Sequence, residues 1–469
     1  MSALVPFPPL APGDDPLAPF VPSEVDHFDA RKAAHLLRRA GFGAPYEDVE
    51  RAMKMGLEKT VDSLLDFDTT KDEFSSLAES LEGTIVDFGN ADHLRSWWLY
   101  RMQTTKRPLE EKLALFWHGH FATSIQKVQR ADLMHAQNKL FRRYALGPFR
   151  SLVLGVAKDP AMLRFLDGNT NKKGKPNENF ARELLELFTM GPGHYAEKDV
   201  MEAARAFTGW HTGYADFQFQ PSQHDEGAKT FLGETGNWNG EDVIDIVLRR
   251  EATARFLATK LFEFFCHPNP PEGVVAAMAD DLLRSQYALR GVLRRLFLSR
   301  VFYSSAAWRG LVKSPVEFVI GAARELESRV NLMQFVRALR NMGQDLFAPP
   351  TVKGWDGGAA WLTSALVLER VNFAMTLAHA RSVEDGSRIL PDTVCQKRAL
   401  DTPDKVLAHY VFLCLQDAVP EETRKSLRDY LAKNDGDKER PWTNDYRSFN
   451  SKVRGLIHML IASPEYQLA

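Results

Sequence analysis

The stretch 177–188 constrains the fold most, because it requires a helix that is buried along one side only. Pro176 marks its first turn, and the run Gly191-Pro192-Gly193 marks its end. At 100° per residue, its large apolar side chains fall within about a quarter of a turn. These are Phe180, Leu184, Leu187 and Phe188. The opposite arc carries Glu178, Asn179, Arg182, Glu183 and Glu186. The helix therefore lies at the edge of a core, and its polar arc faces either solvent or a polar site.

Composition limits the class of protein. The chain has 469 residues, 44% hydrophobic and 26% charged, with a formal net charge of −2. This near-neutral balance argues against nucleic acid or an anionic membrane as the main partner, since both favour a basic surplus. No run of about 18 apolar residues is present, so no transmembrane helix is predicted.

The compartment is predicted from the N-terminus and the cysteines. The first residues lack the basic region and the uninterrupted apolar stretch of an export signal. Cys266, Cys395 and Cys414 are widely separated and are not spaced as a metal or redox motif. We therefore expect a cytoplasmic protein, with the periplasm as the alternative.

The remaining pattern predicts an all-α fold with one small inserted β-hairpin. Residues 1–28 carry seven prolines and suit an extended arm, and residues 29–469 read as a single large helical domain. The hairpin is expected at about 214–234. The segment 216–220 alternates with period two, and 229–233 is its predicted partner strand.

His118 and His120 are candidate metal ligands. Within a helix their imidazoles point about 200° apart. In an extended conformation beyond the helix end, they could face one side and bind a divalent metal such as Zn²⁺ or Fe²⁺. The alternative is that both rings are hydrogen-bonded near a helix C-terminus.

Glu183 and Glu186 are candidate catalytic residues, because carboxylates three residues apart on a helix can share a site. Such a pair can bind a divalent cation, or divide into a general acid and a general base. Arg182 could hold one carboxylate ionised or clamp an anionic substrate, and Asn177 and Asn179 would line the same site. The alternative is an exposed ladder of ion pairs along the helix.

Two further groups are candidates. His224 and Asp225 would act as a general base or a metal ligand in the hairpin loop, with Lys229 beside them, although their spacing also suits a plain loop. Trp355, in the glycine-rich segment 353–358, would form a wall against a planar or sugar-like ligand. The alternative for Trp355 is a structural turn that buries the ring.

Several stretches together resemble the large bacterial family named domain of unknown function 1800 (DUF1800). They are 115–121, 159–163, 177–191, 204–210, 224–225, 313–315 and 349–355. The resemblance runs from about His35 to 462–466. It implies a mostly helical bacterial protein without an established reaction. Its members are often encoded beside another uncharacterised family related to alkaline phosphatases and sulfatases, which makes such a protein a candidate partner.

These observations lead to two hypotheses. The first is an enzyme with a hydrolytic site assisted by a divalent metal. The helix 177–186, the histidines 118 and 120 and the His224 loop would form its polar pocket. In that hypothesis the histidines and one of the two glutamates bind the metal, the other glutamate transfers protons, and Arg182 positions an anion. The second is a non-catalytic helical scaffold or accessory subunit that binds a co-encoded partner. The motifs of serine hydrolases, zincins, redox dithiols and dinucleotide enzymes are absent.

Overall fold

The computed structural model describes residue 7 and residues 15–70, 76–383, 387–433 and 446–469. The predicted mainly helical class is confirmed, since 61% of the chain is helical and the strands form only small pairs. One continuous cluster of buried side chains extends from Leu17 to Tyr466. Among the described helices, none is both long enough and apolar enough to cross a membrane.

The first half of the chain is built from short helices. They are α1 (Ala30–Arg39), α2 (Tyr46–Met55), α3 (Leu57–Leu65), α4 (Ser76–Phe88), α5 (Ala91–Thr104), α6 (Pro108–His120), α7 (Ile125–Val128), α8 (Ala131–Arg143), α9 (Phe149–Ala157), α10 (Pro160–Phe165), α11 (Asn179–Glu183) and α12 (Glu197–Ala206). Single 3₁₀ turns occur at Gly168–Thr170 and Pro221–Gln223.

Four strands follow α12, and helices then resume. The strands are β1 (Trp210–Thr212), β2 (Phe217–Phe219), β3 (Lys229–Phe231) and β4 (Glu234–Gly236), with β5 (Arg329–Val330) and β6 (Ser387–Arg388) later in the chain. The later helices are α13 (Gly240–Leu248), α14 (Glu251–Phe265), α15 (Glu272–Arg284), α16 (Leu289–Leu298), α17 (Pro315–Glu325), α18 (Leu332–Asn341), α19 (Ser364–His379), α20 (Pro391–Lys397), α21 (Pro403–Leu415), α22 (Glu421–Ala432) and α23 (Tyr446–Ala462).

The predicted strand pairing is wrong, although the strand positions are close. β2 pairs antiparallel with the preceding strand, β1, with Trp210 opposite Phe219. β3 pairs antiparallel with the strand that follows it, β4. The connection between β3 and β4 is a two-residue turn in which Leu232 (φ 47°) and Gly233 (φ 84°) are both left-handed, as a type I′ turn requires. Closing these short connections costs less chain entropy than closing the predicted 221–228 loop. Alternation locates a strand but does not name its partner.

The central helix differs from the predicted regular helix. It begins at Asn179, two residues later than expected, and changes to a π-helix over Leu184–Thr189. Within that segment the amide of Met190 bonds to the carbonyl of Leu185, five residues earlier. A π-turn inserts one extra residue per turn and rotates all later side chains. As a result, Leu185 is fully buried while Leu187, a predicted core residue, is only partly buried.

The described part of the proline-rich arm lies against the helical body. Leu17 is buried, the amide of Phe20 bonds to the carbonyl of Leu298, and Asp15 pairs with Arg295. Phe7 contacts the ring of Phe262. Residues 1–6 and 8–14 of the predicted arm lie outside the described residues.

Helix α6 runs through the core, and every side chain from Leu109 to His118 is buried. Burial on all sides requires that its charged residues be paired. Glu111 is 0% exposed and accepts hydrogen bonds from Trp98 Nε1 (2.9 Å), Arg142 Nε (2.6 Å) and Arg101 Nε. Burial would raise the pKa of Glu111, but the two guanidinium groups outweigh it and lower the pKa. This carboxylate therefore joins α5, α6 and α8.

We expect Glu111→Gln to lower the free energy of unfolding by about 3–5 kcal/mol, because it leaves two largely buried guanidinium groups without their carboxylate. Glu110→Gln is the matched control. The Glu110 carboxyl makes only 3.6 Å contacts to Arg101 and Arg107, and burial and the Glu111 charge raise its pKa. Removing its charge should cost less than about 1 kcal/mol. Denaturant unfolding measures both, and equal losses would contradict the assigned role of Glu111.

Asp159 is a second buried carboxyl and has no cationic partner in the described structure. It caps α10 by accepting from the amide of Met162 (2.9 Å) and from Gln137 Nε2 (2.7 Å). Burial raises the pKa of Asp159 to about 7, although these hydrogen bonds pull it down in part. The folded protein therefore binds a proton here that the unfolded chain releases near pH 4.

This raised pKa predicts a loss of stability as the pH rises from about 4 to 7, on the order of 4 kcal/mol at full ionisation. The Asp159→Asn variant retains a carbonyl oxygen for both donors and cannot ionise. We expect its melting temperature to exceed that of the wild type at pH 8 and the advantage to shrink towards pH 5. Asp29→Asn, at the partly buried N-cap of α1, controls for loss of a capping carboxylate. Parallel pH profiles for the wild type and Asp159→Asn would exclude this role.

Candidate functional site

The carboxylates of the central helix occupy two different environments. Glu183 is half-buried, and no hydrogen bond or ion pair to its carboxyl is found among the described residues. Burial first, and then the charge of Glu186, raise the pKa of Glu183. Glu186 accepts a hydrogen bond from the hydroxyl of Tyr195 (3.0 Å). Burial and this bond raise the pKa of Tyr195 to about 12, so the phenol stays protonated and donates to Glu186.

Arg182 turns away from this pair. Its Nη2 bonds to Glu178 (2.9 Å), and Nη1 bonds to Glu197 at the start of α12 (3.1 Å). The hydrogen bonds to Glu197 and then to Glu178 raise the pKa of Arg182. Of the alternative ladder of exposed ion pairs along the helix, the Glu178–Arg182 pair is present. Glu186 does not pair with Arg182 and instead accepts a hydrogen bond from Tyr195.

Asn177 and Asn179 lie at the start of the central helix, where Asn177 forms the capping hydrogen bond. Asn177 Oδ1 accepts from the amide of Asn179 (2.9 Å), and its Nδ2 donates to Thr170 Oγ1 (2.7 Å). The amide of Asn177 itself bonds to Asn171 Oδ1 (2.9 Å). Asn177 therefore fixes the direction in which the helix leaves the preceding turn, while the side chain of Asn179 is exposed.

His118 and His120 both lie within α6, which stays helical through His120. His118 is fully buried and accepts the amide of Phe347 at Nε2 (3.0 Å), which places its proton on Nδ1. Burial and Arg95 lower the pKa of His118 to about 3. His120 Nε2 donates to the carbonyl of Phe188 (2.9 Å), at the end of the π-helix. Burial lowers its pKa to about 4, although this bond opposes the shift, so Nδ1 is a neutral acceptor.

Gly119, between the two histidines, contacts the glycine-rich segment 353–358. Gly354 packs so closely on Gly119 that a Cβ added to Gly354 would lie 2.6 Å from the Gly119 carbonyl oxygen. Gly354 also has φ +88°, which L side chains rarely adopt. Trp355 is half-buried, with its ring 5.6 Å from the ring of His118. The end of α6 thus joins two predicted groups: the central helix, through His120, and the Trp355 loop.

The hairpin-loop group forms a separate cluster. His224 Nδ1 donates to the carbonyl of Thr208 (2.8 Å), which leaves Nε2 as the basic nitrogen of the neutral ring. Asp225 pairs with Arg205 (2.8 Å) rather than with His224, and that hydrogen bond lowers the pKa of Asp225 to about 2. Lys229 is buried, and its Nζ donates to the carbonyls of Asp225 (2.6 Å) and Gly227 (3.0 Å).

Helix α12 separates this cluster from the carboxylate pair. Glu197, at its first residue, binds Arg182, and Arg205, near its end, binds Asp225. Eight residues of helix span roughly 12 Å. The two clusters therefore contact opposite ends of α12, and no described hydrogen bond or ion pair joins Lys229 or Asp225 to the carboxylate pair of the central helix.

The candidate ligands do not form a metal centre in this geometry. Within the described ranges, no group of three or more His, Cys, Asp or Glu side chains could hold a metal ion. The rings of His118 and His120 contact different aromatic neighbours, Phe347 for the first and Phe188 for the second. The helical conformation through His120 excludes the extended geometry that a shared metal would need.

A small cleft, partly open to solvent, lies elsewhere. Its walls include Tyr46, Glu325, His409 and Tyr410. None of the predicted site residues lines it. The candidate groups therefore lie outside this cleft: Arg182, Glu183 and Glu186 are partly exposed, whereas His118 and Lys229 are buried.

Sequence reasoning missed the partners that orient the candidates: Tyr195, Glu197, Arg205 and Thr208. Arg205 and Thr208 lie inside the motif at 204–210, which was a usable signal. Tyr195 follows the Gly191-Pro192-Gly193 turn, and nothing in its local pattern indicates that the chain folds back onto Glu186.

Comparison with known proteins gives one match. A family model described as "Protein of unknown function (DUF1800)" matches residues 35–468. No curated protein and no solved structure matches the chain. Because the match covers nearly the whole sequence, the chain belongs to the DUF1800 family of proteins of unknown function.

Proposed function

We propose that this protein is a hydrolytic enzyme that uses Glu183 and Glu186 as a general acid and a general base. The observation that carries the proposal is the asymmetry of the pair. Glu183 has a raised pKa and no hydrogen-bond partner among the described residues, whereas Glu186 is held by the hydroxyl of Tyr195. Neighbouring carboxylates with different environments are the usual arrangement for acid–base catalysis.

The roles follow from these contacts. Glu183 keeps its proton to a higher pH than a free carboxyl, so it donates that proton to a leaving group. Glu186, fixed by Tyr195, accepts a proton from the attacking water. Arg182 lies one residue from Glu183 and is partly exposed, so it can hold an anionic group of the substrate once its surface ion pairs yield. His120, bound to Phe188, anchors the C-terminal end of the segment that carries the pair.

A metal-assisted reaction was the sequence-based expectation. The histidines predicted to bind the metal face different surroundings, and the described residues offer no set of three ligands. We therefore assign no step to a metal ion.

The second candidate function is a scaffold or accessory subunit that binds a co-encoded partner, such as a protein of the alkaline phosphatase and sulfatase type. One observation favours it: the two guanidinium groups of this region are already paired, Arg182 with Glu178 and Glu197, and Arg205 with Asp225. A surface that satisfies its own charges suits protein contact as well as catalysis.

Glu183→Gln and Glu186→Gln test the catalytic proposal. With a panel of nitrophenyl acetate, phosphate, sulfate and glycosides, we expect each change to lower the turnover of whichever compound the wild type hydrolyses by roughly 100-fold or more. Because Glu183 acts in its protonated form, the wild-type rate should fall as the pH rises through its raised pKa. Glu178→Gln is the matched control, since Glu178 immediately precedes the same helix and its carboxylate pairs with Arg182.

The double variant, with both glutamates replaced by glutamine, should melt at the same temperature as the wild type or higher, because it removes the repulsion between the two carboxylates. Marked destabilisation would identify a structural pair. Unchanged turnover in both single variants would exclude the catalytic roles and favour the scaffold.

Metal removal is a further test. Protein purified without a nickel column should contain less than stoichiometric divalent metal, and EDTA should leave the melting temperature unchanged, because no set of three ligands exists among the described residues. Elemental analysis and thermal unfolding measure these quantities. One equivalent of bound zinc or iron, with a lower melting temperature in EDTA, would contradict this expectation.

A further inference from the structure

The segment 172–175 concentrates positive charge immediately before the central helix. Lys172, Lys173 and Lys175 are all exposed. Among the described residues, no carboxylate lies within ion-pair distance of their ammonium groups, although ion pairs are common elsewhere on this surface. Three like charges within four residues repel one another, which costs free energy in the folded state.

The backbone holds these lysines in a fixed arrangement. Lys172 and Lys175 exchange both backbone hydrogen bonds across the turn (3.3 and 2.9 Å). Gly174 has φ +79° and nothing within 4 Å of the position of an added Cβ, so the turn faces open space. The amide of Lys173 bonds to the carbonyl of Gln223 (2.8 Å). The turn is therefore closed by the Lys172–Lys175 pair and is held through Lys173 against the loop after β2.

The surroundings of the turn include an unsatisfied polar group. His211, in β1, is 4% exposed, and its Nε2 has no hydrogen-bond partner within the described structure. Burial and the charge of Lys172 lower the pKa of His211, although the side chain of Gln223 opposes the shift in part, so the ring lies near both the turn and the 220–223 loop. Within the described residues, this nitrogen and the three lysines without a carboxylate partner are groups whose contacts a ligand can complete.

An exposed aromatic surface adjoins the turn. Phe219 is 47% exposed, and its ring lies 5.4 Å from that of His224. These two residues flank the 220–223 loop, whose Gln223 carbonyl receives the Lys173 amide. Flat, exposed rings beside cations suit a chain of sugar units that carry negative charges, because the ring covers the apolar face of a sugar.

We propose that the turn 172–175 is the anchoring subsite for an anionic polysaccharide. This inference rests on the proposed function, because it supplies the substrate of the Glu183–Glu186 site. Asn177 is bonded to Thr170 and Asn171 on one side and caps the central helix on the other, so it fixes the turn relative to the carboxylates. One charged sugar bound at the lysines would place neighbouring units along the polar face of that helix. Two carboxylates flanking a scissile bond are the common machinery of glycoside hydrolysis.

The test uses fluorescence anisotropy of the full chain with a labelled oligogalacturonate and a neutral dextran oligomer of equal length. We expect the wild type to bind the anionic oligomer, with an affinity that falls as salt rises, and not to bind the neutral one. The triple variant Lys172→Gln, Lys173→Gln, Lys175→Gln should bind at least 10-fold more weakly and show a flatter salt dependence. His211→Gln, whose carboxamide keeps a hydrogen-bonding group near the same position, should weaken binding less.

The matched control is Lys54→Gln, Lys59→Gln, Lys425→Gln. It removes the same charge from exposed lysines on α2, α3 and α22, and these lysines also make no ion pair in the described structure. An equal loss of affinity in both triple variants would overturn the assignment, since it would reflect total charge alone. Absence of wild-type binding to the oligogalacturonate would overturn it as well, as would tighter binding of single-stranded DNA of equal charge.

The two proposals can fail separately. Glu183→Gln should bind the oligogalacturonate as tightly as the wild type while it loses turnover. If the lysine variant loses binding but Glu183→Gln keeps full turnover, the anchoring subsite stands and the catalytic assignment fails. If Glu183→Gln loses turnover but the lysine variant binds normally, the catalytic assignment stands and the subsite is wrong.

Discussion

Burial of the helix α6 on all sides is the constraint on which the rest of the structure depends. A helix in the middle of a large core carries Glu110, Glu111 and Lys112 into an environment that penalises charge. Partners from other helices compensate these charges. Glu111 accepts hydrogen bonds from Arg101, Arg142 and Trp98. Lys112 forms an ion pair with Glu317. These pairs require α5, α8 and α17 to pack around α6. The charges inside the core therefore specify which helices are neighbours, beyond what apolar burial alone would select.

The C-terminal end of α6 connects this core to the candidate site. His118 accepts a hydrogen bond from the amide of Phe347, and His120 donates one to the carbonyl of Phe188. Between them, Gly119 is in close contact with Gly354. Each contact is made by a group that is neutral at pH 7, so none of them needs a counter-ion in the core. The two histidines fit such roles because an uncharged imidazole can accept with one nitrogen and donate with the other. On this geometry they fix the position of the central helix and the Trp355 loop.

The sequence was informative where the physics is local. Helical periodicity, the turn residues and the polar arc of 177–188 predicted the fold class and located Glu183, Glu186 and Arg182 on one helix face. Pairing is not local. Arg182 reaches Glu197 and Glu186 reaches Tyr195 only because the chain reverses after Gly193. Likewise β2 joins β1, and not β3, because a short connection closes at lower entropic cost, which alternation does not encode.

By itself the sequence determined a mainly helical protein of the DUF1800 family, with a helix that is apolar on one side and charged on the other. Tertiary structure alone decided which charges became free to act. Among the described residues, Glu183 has no ion pair or hydrogen bond to its carboxyl, Arg182 and Asp225 are paired, and no carboxylate lies within ion-pair distance of the lysines of 172–175. The physical reason is that periodicity depends on neighbours within a few residues. The charge state and partners of a side chain depend instead on burial and on groups brought close from distant parts of the chain.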